Sequence, residues 1–541
     1  MMLRRQGASS SHQSVYLFSV TFLVGLLFFA GQLAAYHYQL ISFPYQISYR
    51  ESAAPMFTDL LLAGGFPYQI EDHPEYSNFY GMFYSLVTYP LAMVFGSSVH
   101  IHRLVTGFFI IATCAIVYAV MRKRKVGAIL AFAAVLLLYA GFLWQSTPRA
   151  KPDALGMFLF LSAIFLPWWY KFSVKSLAGS IILGLLALFT KQYFVLALPC
   201  ISGYLFLFVS KRKAIIYTLA AILSIGLSLT LMANIFELYI YDTVTIPRRL
   251  CCSYSLGHMR EQLLTFITWY RELILLCIAI ALTLVIKASR ANGIPPILEH
   301  INVRNLFNIG DWKRPLLSIS LDPHMFFLLV ITMVIIYPLG GHTGNNMTYL
   351  MQLISPFFLI VIFSWLNPFV IKMKECNVLA FIAVIALLLK SLHTFTYEAL
   401  NPLAFDEGLE AWVSAEKLIS KSENVLNSST IASILLEQGK TVYNSGLSEY
   451  FIQESSTVTD LRKRVVARSE DYKSLILNGI TESSFDLLLI NDGSYDFIPQ
   501  SLLETHYGKE GVVALDFPHS KITRILEIWK PLSKDRLSKL Q

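Results

Sequence analysis

The sequence predicts a polytopic α-helical membrane protein of about eleven transmembrane helices, followed by a soluble C-terminal α/β domain. Three observations predict it. Of 541 residues, 55% are hydrophobic and only 14% are charged, where soluble domains average about a quarter charged. Apolar stretches approaching the ~20 residues that span a bilayer recur between residues 15 and 393, with Lys and Arg clusters between them. From about residue 394 the composition becomes ordinary, and short runs at 425–427, 441–443, 485–491 and 512–517 alternate with helical stretches, as in a small α/β domain.

The predicted spans are 15–36, 103–121, 127–144, 154–170, 176–190, 193–209, 214–236, 263–286, 325–339, 348–366 and 377–393. Arg4 and Arg5 before the first run look like the start of a signal peptide. That run is longer than a signal-peptide core of 7 to 15 residues, so it is predicted to stay as the first helix. Segment 79–95 is apolar but short, is interrupted by Pro90, and carries Tyr80, Tyr84 and Tyr89, residues favoured at the membrane interface. Counting it as a span would turn the basic clusters 122–125 and 211–213 away from the cytoplasm. Reading it as interfacial places both inside with Arg4 and Arg5, as the positive-inside rule requires. Eleven spans then put the C-terminus outside, with a membrane domain over 1–393 and an extracytoplasmic domain over 394–541.

The first outer loop, 37–102, is long and is predicted to hold two surface helices. Pro55 suits the first turn of one, and Gly64, Gly65 and Pro67 stop it. Ser77 or Asn78 can cap the second, and Gly96 ends it. Further outer loops are 145–152, 237–262 and 340–347, and most ionisable residues near the membrane collect on this side.

Composition also excludes some functions. The net charge of +8 sits in short loops between spans rather than on one soluble face, which argues for membrane topology and against nucleic acid. The six cysteines show no metal-ligand spacing, and Cys114, Cys200 and Cys277 fall inside apolar runs as small buried hydrophobes. Cys251 and Cys252 are read as free thiols, with a vicinal disulfide as the alternative. The sequence therefore indicates no structural metal and no cofactor; a divalent ion, if the reaction used one, would sit at Glu51. No GxGxxG or GxxxxGKS string is present, which argues against a nucleotide site. The sequons at Asn346 and Asn427 matter only in a secretory-pathway host.

A carboxylate on a long outer loop, facing loops rich in Arg, Lys, His and Asn, suits glycosyl transfer from a lipid phosphate. The acceptor hydroxyl needs a base as it attacks the anomeric carbon. The leaving phosphate is already anionic, so it needs cations rather than an acid. That differs from the paired carboxylates of a glycoside hydrolase.

Five strings then carry a family resemblance. YRESAAPMFTDLLLAGGFPY, holding Glu51 and Asp59, resembles the first outer loop of GT-C polyprenyl-phosphate-sugar glycosyltransferases, the group of protein O-mannosyltransferases and the lipid A aminoarabinose transferase. NFYGMFYSL is similar to a Tyr-Gly-Pro-Leu-Tyr segment at Tyr80, Gly81 and Tyr84 but lacks its proline. RAKPDALG resembles an Arg-Pro-Asp segment, with Lys151 in place of the arginine before Pro152 and Asp153. ALFTKQ around Lys191 and GNNMTYLMQLISP around Asn346 resemble two later landmarks.

The resemblance implies an inverting transferase that moves a sugar from a polyprenyl-phosphate donor to a glycan, lipid or protein acceptor on the outer face of a prokaryotic plasma membrane. Glu51 falls at the family's acidic catalytic position, with Asp59 as the second candidate. Tyr80, Arg149, Lys151, Asp153, Lys191, Arg248, Arg249, His258, His342 and Asn346 are candidates for donor binding. Each also has a structural reading: Glu51 as a solvated interfacial carboxylate, Asp59 as an arginine's partner, and the loop cations and polar residues as anchors or solvated loop. Lys191, between two apolar runs, is costly there unless paired or facing water. A transporter or flippase is the competing function, yet such proteins carry charge near the midplane, and here it gathers at the outer ends. A non-catalytic scaffold of the same fold is the third reading.

Overall fold

A computed structural model describes residues 2–48, 50–145, 149–250, 254–279, 322–336, 348–376, 385–394, 408–448, 451, 460–491, 494–517 and 522–532. It is mostly helical, with a small sheet near the C-terminus. Helix α1 (Met2–Ser42) leads into the first loop, which carries α2 (Ala53–Leu62) and α3 (Phe83–Phe95). The membrane core follows as α4 (Val99–Lys123), α5 (Ala128–Gln145), α6 (Asp153–Trp169) and α7 (Val174–Leu188). Ser98 and Ser173 start α4 and α7 by accepting hydrogen bonds from Ile101 N and Ser176 N, as short hydroxyl side chains do at helix N-termini. Helix α6 packs against α4 and α7, and α5 against α1, α4 and a long late helix.

The loop helices are α2 and α3 as expected, and Gly96 ends α3 in a left-handed conformation at φ 80°. The start of α3 differs from the expected cap. Asn78 accepts a hydrogen bond from Tyr80 N in a turn, and α3 begins only at Phe83. That amide is committed to the turn, so neither Ser77 nor Asn78 caps the helix. With 13 residues, α3 is too short to cross a bilayer at 1.5 Å per residue.

The span expected at 193–209 is a 3-10 turn (Gln192–Leu196), α8 (Ala197–Tyr204) and a π turn (Leu205–Val209). Then come α9 (Lys211–Ile235), a second π turn (Tyr241–Thr245), α10 (Ile246–Leu250) and α11 (Leu256–Trp269). The span expected at 263–286 is bent, because α11 and α12 (Arg271–Ala279) meet at 69°. Helices α13 (Pro323–Ile336), α14 (Thr348–Cys376) and α15 (Ile385–Thr394) complete the described bundle. Four described helices are long and apolar enough to cross a membrane, or five if the bent pair is one span, with further shorter apolar helices around them. The chain is an integral membrane protein.

Its loops fall into two groups. Arg124 pairs with Asp322 and bonds Ser364 at 2.8 Å, Lys123 bonds Trp169 O, Lys213 bonds Phe172 O and Asn367 bonds Gly127 N. The basic loops thus share one end of the bundle, as the charge count grouped them. The first loop, segment 149–152 and residues 189–192 meet at the opposite end, where the α/β domain sits.

That domain comprises α16 (Leu409–Ser420), β1 (Val425–Asn427), α17 (Ala432–Glu437), α18 (Asp460–Thr481), β2 (Leu487–Ile490), α19 (Gln500–His506), β3 (Tyr507–Phe517) and β4 (Ile522–Pro531). The sheet order is β1-β2-β4-β3: β1 and β2 are parallel, and the other pairs antiparallel. Strand β4 follows the runs expected as strands. The run at 441–443 is not a strand, because Tyr443 N bonds the Asn427 side chain instead of a neighbouring strand.

Candidate active site

The site begins with an arginine inside an apolar helix. Arg103, on the second turn of α4, is fully buried, and all five of its N–H donors are used. It grips both carboxylate oxygens of Glu51 at 2.8 Å and also donates to Leu40 O, Phe43 O and Tyr45 O. Glu51 is fully buried too, and it accepts further hydrogen bonds from Ile47 N at 2.7 Å and Ala150 N at 2.8 Å. Four donors fill the four acceptor positions of one carboxylate. Burial by itself would raise the Glu51 carboxyl, but Arg103 and the two amides outweigh it and hold it below the usual carboxylate range.

The Ala150 amide ties Glu51 to segment 149–153, which carries the next charges. Lys151 Nζ reaches Ser48 Oγ at 3.4 Å. Burial, with Arg149 and Arg50 nearby, pushes its ammonium down to about 7, against the pull of Asp153 and Glu51. Asp153 opens α6, and its Oδ1 takes Lys191 Nζ at 2.7 Å and the Tyr193 hydroxyl at 3.3 Å. The side chains of Lys191 and Asp153 are 10% and 13% exposed, so the pair retains some access where Glu51 has none. Lys191 Nζ stands 5.0 Å from the centre of the Tyr80 ring and 5.1 Å from that of Tyr193, so two aromatic faces and one carboxylate hold it.

Gly81 explains how Tyr80 arrives there. A Cβ at Gly81 would lie 1.9 Å from Phe189 O, so only glycine lets this strand of loop pass residue 189. Phe83 N then bonds Phe189 O, and Gln192 bonds Phe79 O at 2.6 Å, locking the loop to the residues flanking Lys191.

Six expected residues therefore come together: Glu51, Tyr80, Arg149, Lys151, Asp153 and Lys191. Asp59 stands apart on α2, and among the described residues it forms no ion pair with an arginine; burial raises its carboxyl. Arg248 is exposed on α10, and His258 bonds Gln262 at 2.6 Å on α11. The side chain of Arg249, together with His342 and Asn346, lies outside the described residues.

Two site residues escaped the sequence reading. Arg103 only opens the predicted span 103–121, although a cation beginning an apolar helix is itself a signal of a partner. Asp242, fully buried in the π turn of 241–245, has neither oxygen in a hydrogen bond of normal geometry among the described residues. Burial raises it well above the carboxylate range, and the Ser77 hydroxyl and Asn78 amide offset only part of that. It lies under loop 77–80, whose Tyr80 carbonyl takes the Tyr68 hydroxyl. No group of three metal-ligating side chains occurs among the described residues.

The fold has solved counterparts. ArnT from Cupriavidus metallidurans bound to undecaprenyl phosphate is similar at a TM-score of 0.50 and 10% identity, over 93% of this chain and 97% of that one. The same protein in the apo state is similar at 0.51 and 12%, over 94% and 98%. No protein-family model and no curated protein matches the sequence. The chain has a GT-C glycosyltransferase-like fold.

Proposed function

We propose that this protein is a membrane glycosyltransferase that moves a sugar from a polyprenyl-phosphate donor to an acceptor hydroxyl with inversion, at the end of the bundle that carries the α/β domain. The observation that carries the reading is the Asp153–Lys191 pair beside Lys151 and Arg149, on a fold shared with a protein that holds undecaprenyl phosphate. The donor's lipid tail lies among the apolar helices and its phosphate among these cations. Buried acyl chain contributes about 0.8 kcal/mol per methylene, which is the reason such a site belongs in a membrane protein.

In the reaction the acceptor oxygen bonds to the anomeric carbon as the bond from that carbon to the phosphate oxygen breaks, its electrons staying on the phosphate. Lys191 turns from Asp153 to the phosphate, where charge is growing, and stabilises it. Asp153, relieved of the ammonium, takes the acceptor's proton. Glu51, the base that the resemblance implies, is proposed here in a positioning role, because Arg103 and two amides occupy its oxygens. The acceptor is a glycan, lipid or protein, and the host membrane is the inner membrane of a prokaryote.

The test is transfer of radiolabelled sugar from polyprenyl-phosphate donors by the purified protein, with undecaprenyl phosphate binding followed by native mass spectrometry. Binding and transfer support the reading. Binding without transfer across a panel of donors and acceptors would favour a non-catalytic scaffold, and no binding would remove the lipid-phosphate reading altogether.

A further inference from the structure

The α/β domain meets the membrane domain through an unusual choice of surface. In open α/β sheets the crevice beyond the carboxyl ends of parallel strands is where ligands bind. Here β1 and β2 are the parallel pair, and the residues that follow them form a buried polar cluster. Asn427 at the end of β1 bonds Tyr443 N and Asn444 O, holding turn 443–448 in place. Ser428 and Ser494 both bond Asn491, just past β2. Asn427, Ser428 and Ser448 are fully buried.

What fills this edge is the protein's own first loop. The fully buried Gln46 donates to Ser429 O at 2.8 Å and accepts from Ser433 N at 3.2 Å, both in the segment after β1. Ser52 donates to Ser445 O at 3.0 Å, in the turn that Asn427 holds. Next to Gln46, Tyr45 stacks on the buried Trp412 with ring centres 5.2 Å apart and planes at 12°, and its hydroxyl bonds Glu416 at 2.6 Å. Glu51 lies between these anchors. Arg103 completes the link, since it bonds the Tyr45 carbonyl as well as Glu51.

We propose that the α/β domain is a positioning device for the site: its strand-end edge holds residues 45–52 in register, so that Glu51 fixes Ala150 and, through it, Lys151 and Asp153. Among the described residues, the edge is occupied by the first loop rather than left open to a diffusible ligand. The consequence for turnover rests on the proposed transferase reading; the ordering of residues 45–52 does not. Gln46 and Ser52 are positioning residues, since they touch Glu51's loop and not the reacting atoms.

The full-length Gln46→Ala variant tests this, with Gln46→Asn as the conservative comparison and Glu482→Ala, an exposed position just past the end of α18 on the same domain, as control. Hydrogen–deuterium exchange over 44–52 should rise at least about threefold in Gln46→Ala and less in Gln46→Asn, with the exchange of β1 to β4 unchanged. Turnover should fall about tenfold or more at an unchanged KM for the donor, because a displacement near 1 Å in a catalytic group costs up to about 100-fold. Unchanged exchange over 44–52 would overturn the proposal, as would faster exchange with full turnover. If the wild type transfers no sugar, the transferase reading fails by itself, and the exchange measurement alone decides whether the domain orders the loop.

Discussion

At the residue scale, the two carboxylates of the site are both held ionised by a cation, Glu51 by Arg103 and Asp153 by Lys191, but with different sets of further donors, and this predicts different mutant behaviour. Glu51 is saturated by N–H donors, so Glu51→Gln turns an amide nitrogen toward a donor and leaves Arg103 buried without its counter-charge. Breaking a buried pair from one side costs about 3 to 5 kcal/mol. Thermal melting in detergent should show that loss, together with a loss of activity, and Glu51→Leu combined with Arg103→Met should not restore the stability, because the Leu40, Phe43 and Tyr45 carbonyls and the Ile47 and Ala150 amides then lose their buried partners. Asp153→Asn should lower turnover by on the order of 100-fold to 10,000-fold, as expected for a base, and should destabilise less than Glu51→Gln because Lys191 keeps some exposure and the Tyr80 and Tyr193 rings as partners. Equal melting temperatures for wild type and Glu51→Gln would refute the keystone role, and normal turnover in Asp153→Asn would refute the base.

Lys151 gives a pH prediction at the same scale. Burial and the neighbouring arginines bring its ammonium down to about 7, so it is charged below that pH and becomes neutral as pH rises through it. A cation that serves the donor phosphate is therefore lost on the alkaline side. The KM for the donor should rise between pH 6 and pH 9, and Lys151→Arg should flatten the profile, since arginine stays charged across it. A flat wild-type profile would show that Lys151 does not serve the phosphate.

At the scale of elements, the loop that brings Tyr80 to Lys191 depends on one close approach. Gly81→Ala places a methyl 1.9 Å from Phe189 O, so the loop must move. Overpacking of this kind costs about 1 to 3 kcal/mol. Transfer should fall more than stability does, because the displaced element carries the ring on which Lys191 rests; a fully active Gly81→Ala protein would show that Tyr80 has no part in the site. The same elements show what sequence patterns could not anticipate. The span expected at 263–286 bends because its two helices meet at Tyr270, a buried residue at the joint, and hydropathy registers apolar length and not direction.

At the scale of the whole molecule, the grouping of loops predicts a topology experiment. The basic loops around Arg122 and Lys213 share one end, and the α/β domain the other, so the positive-inside rule predicts residue 470 outside the cell. Glu470→Cys, made with Cys251→Ser and Cys252→Ser to silence two candidate outer thiols, should react with an impermeant thiol reagent in intact cells. Labelling that appears only after permeabilisation would reverse the orientation. Arg464 with Glu237, Arg468 with Glu75 at 3.7 Å and His73 with Ser469 at 3.2 Å hold the domain over the bundle at points beyond the Gln46 anchor.

The division between sequence and tertiary structure follows from range. Composition, apolar periodicity and charge alternation are local properties, and they determined the membrane class, most helix positions, the grouping of loops and the presence of an α/β tail. Local strings also singled out Glu51, Tyr80, Asp153 and Lys191. What those groups do to one another was beyond such patterns, because it depends on contacts between residues far apart in the chain: Glu51 with Arg103 and the Ala150 amide, Asp153 with Lys191, and Gln46 with Ser429. The two carboxylates read alike in sequence, and only the folded chain decided that Glu51 is enclosed by four donors while Asp153 is held by Lys191 and Tyr193.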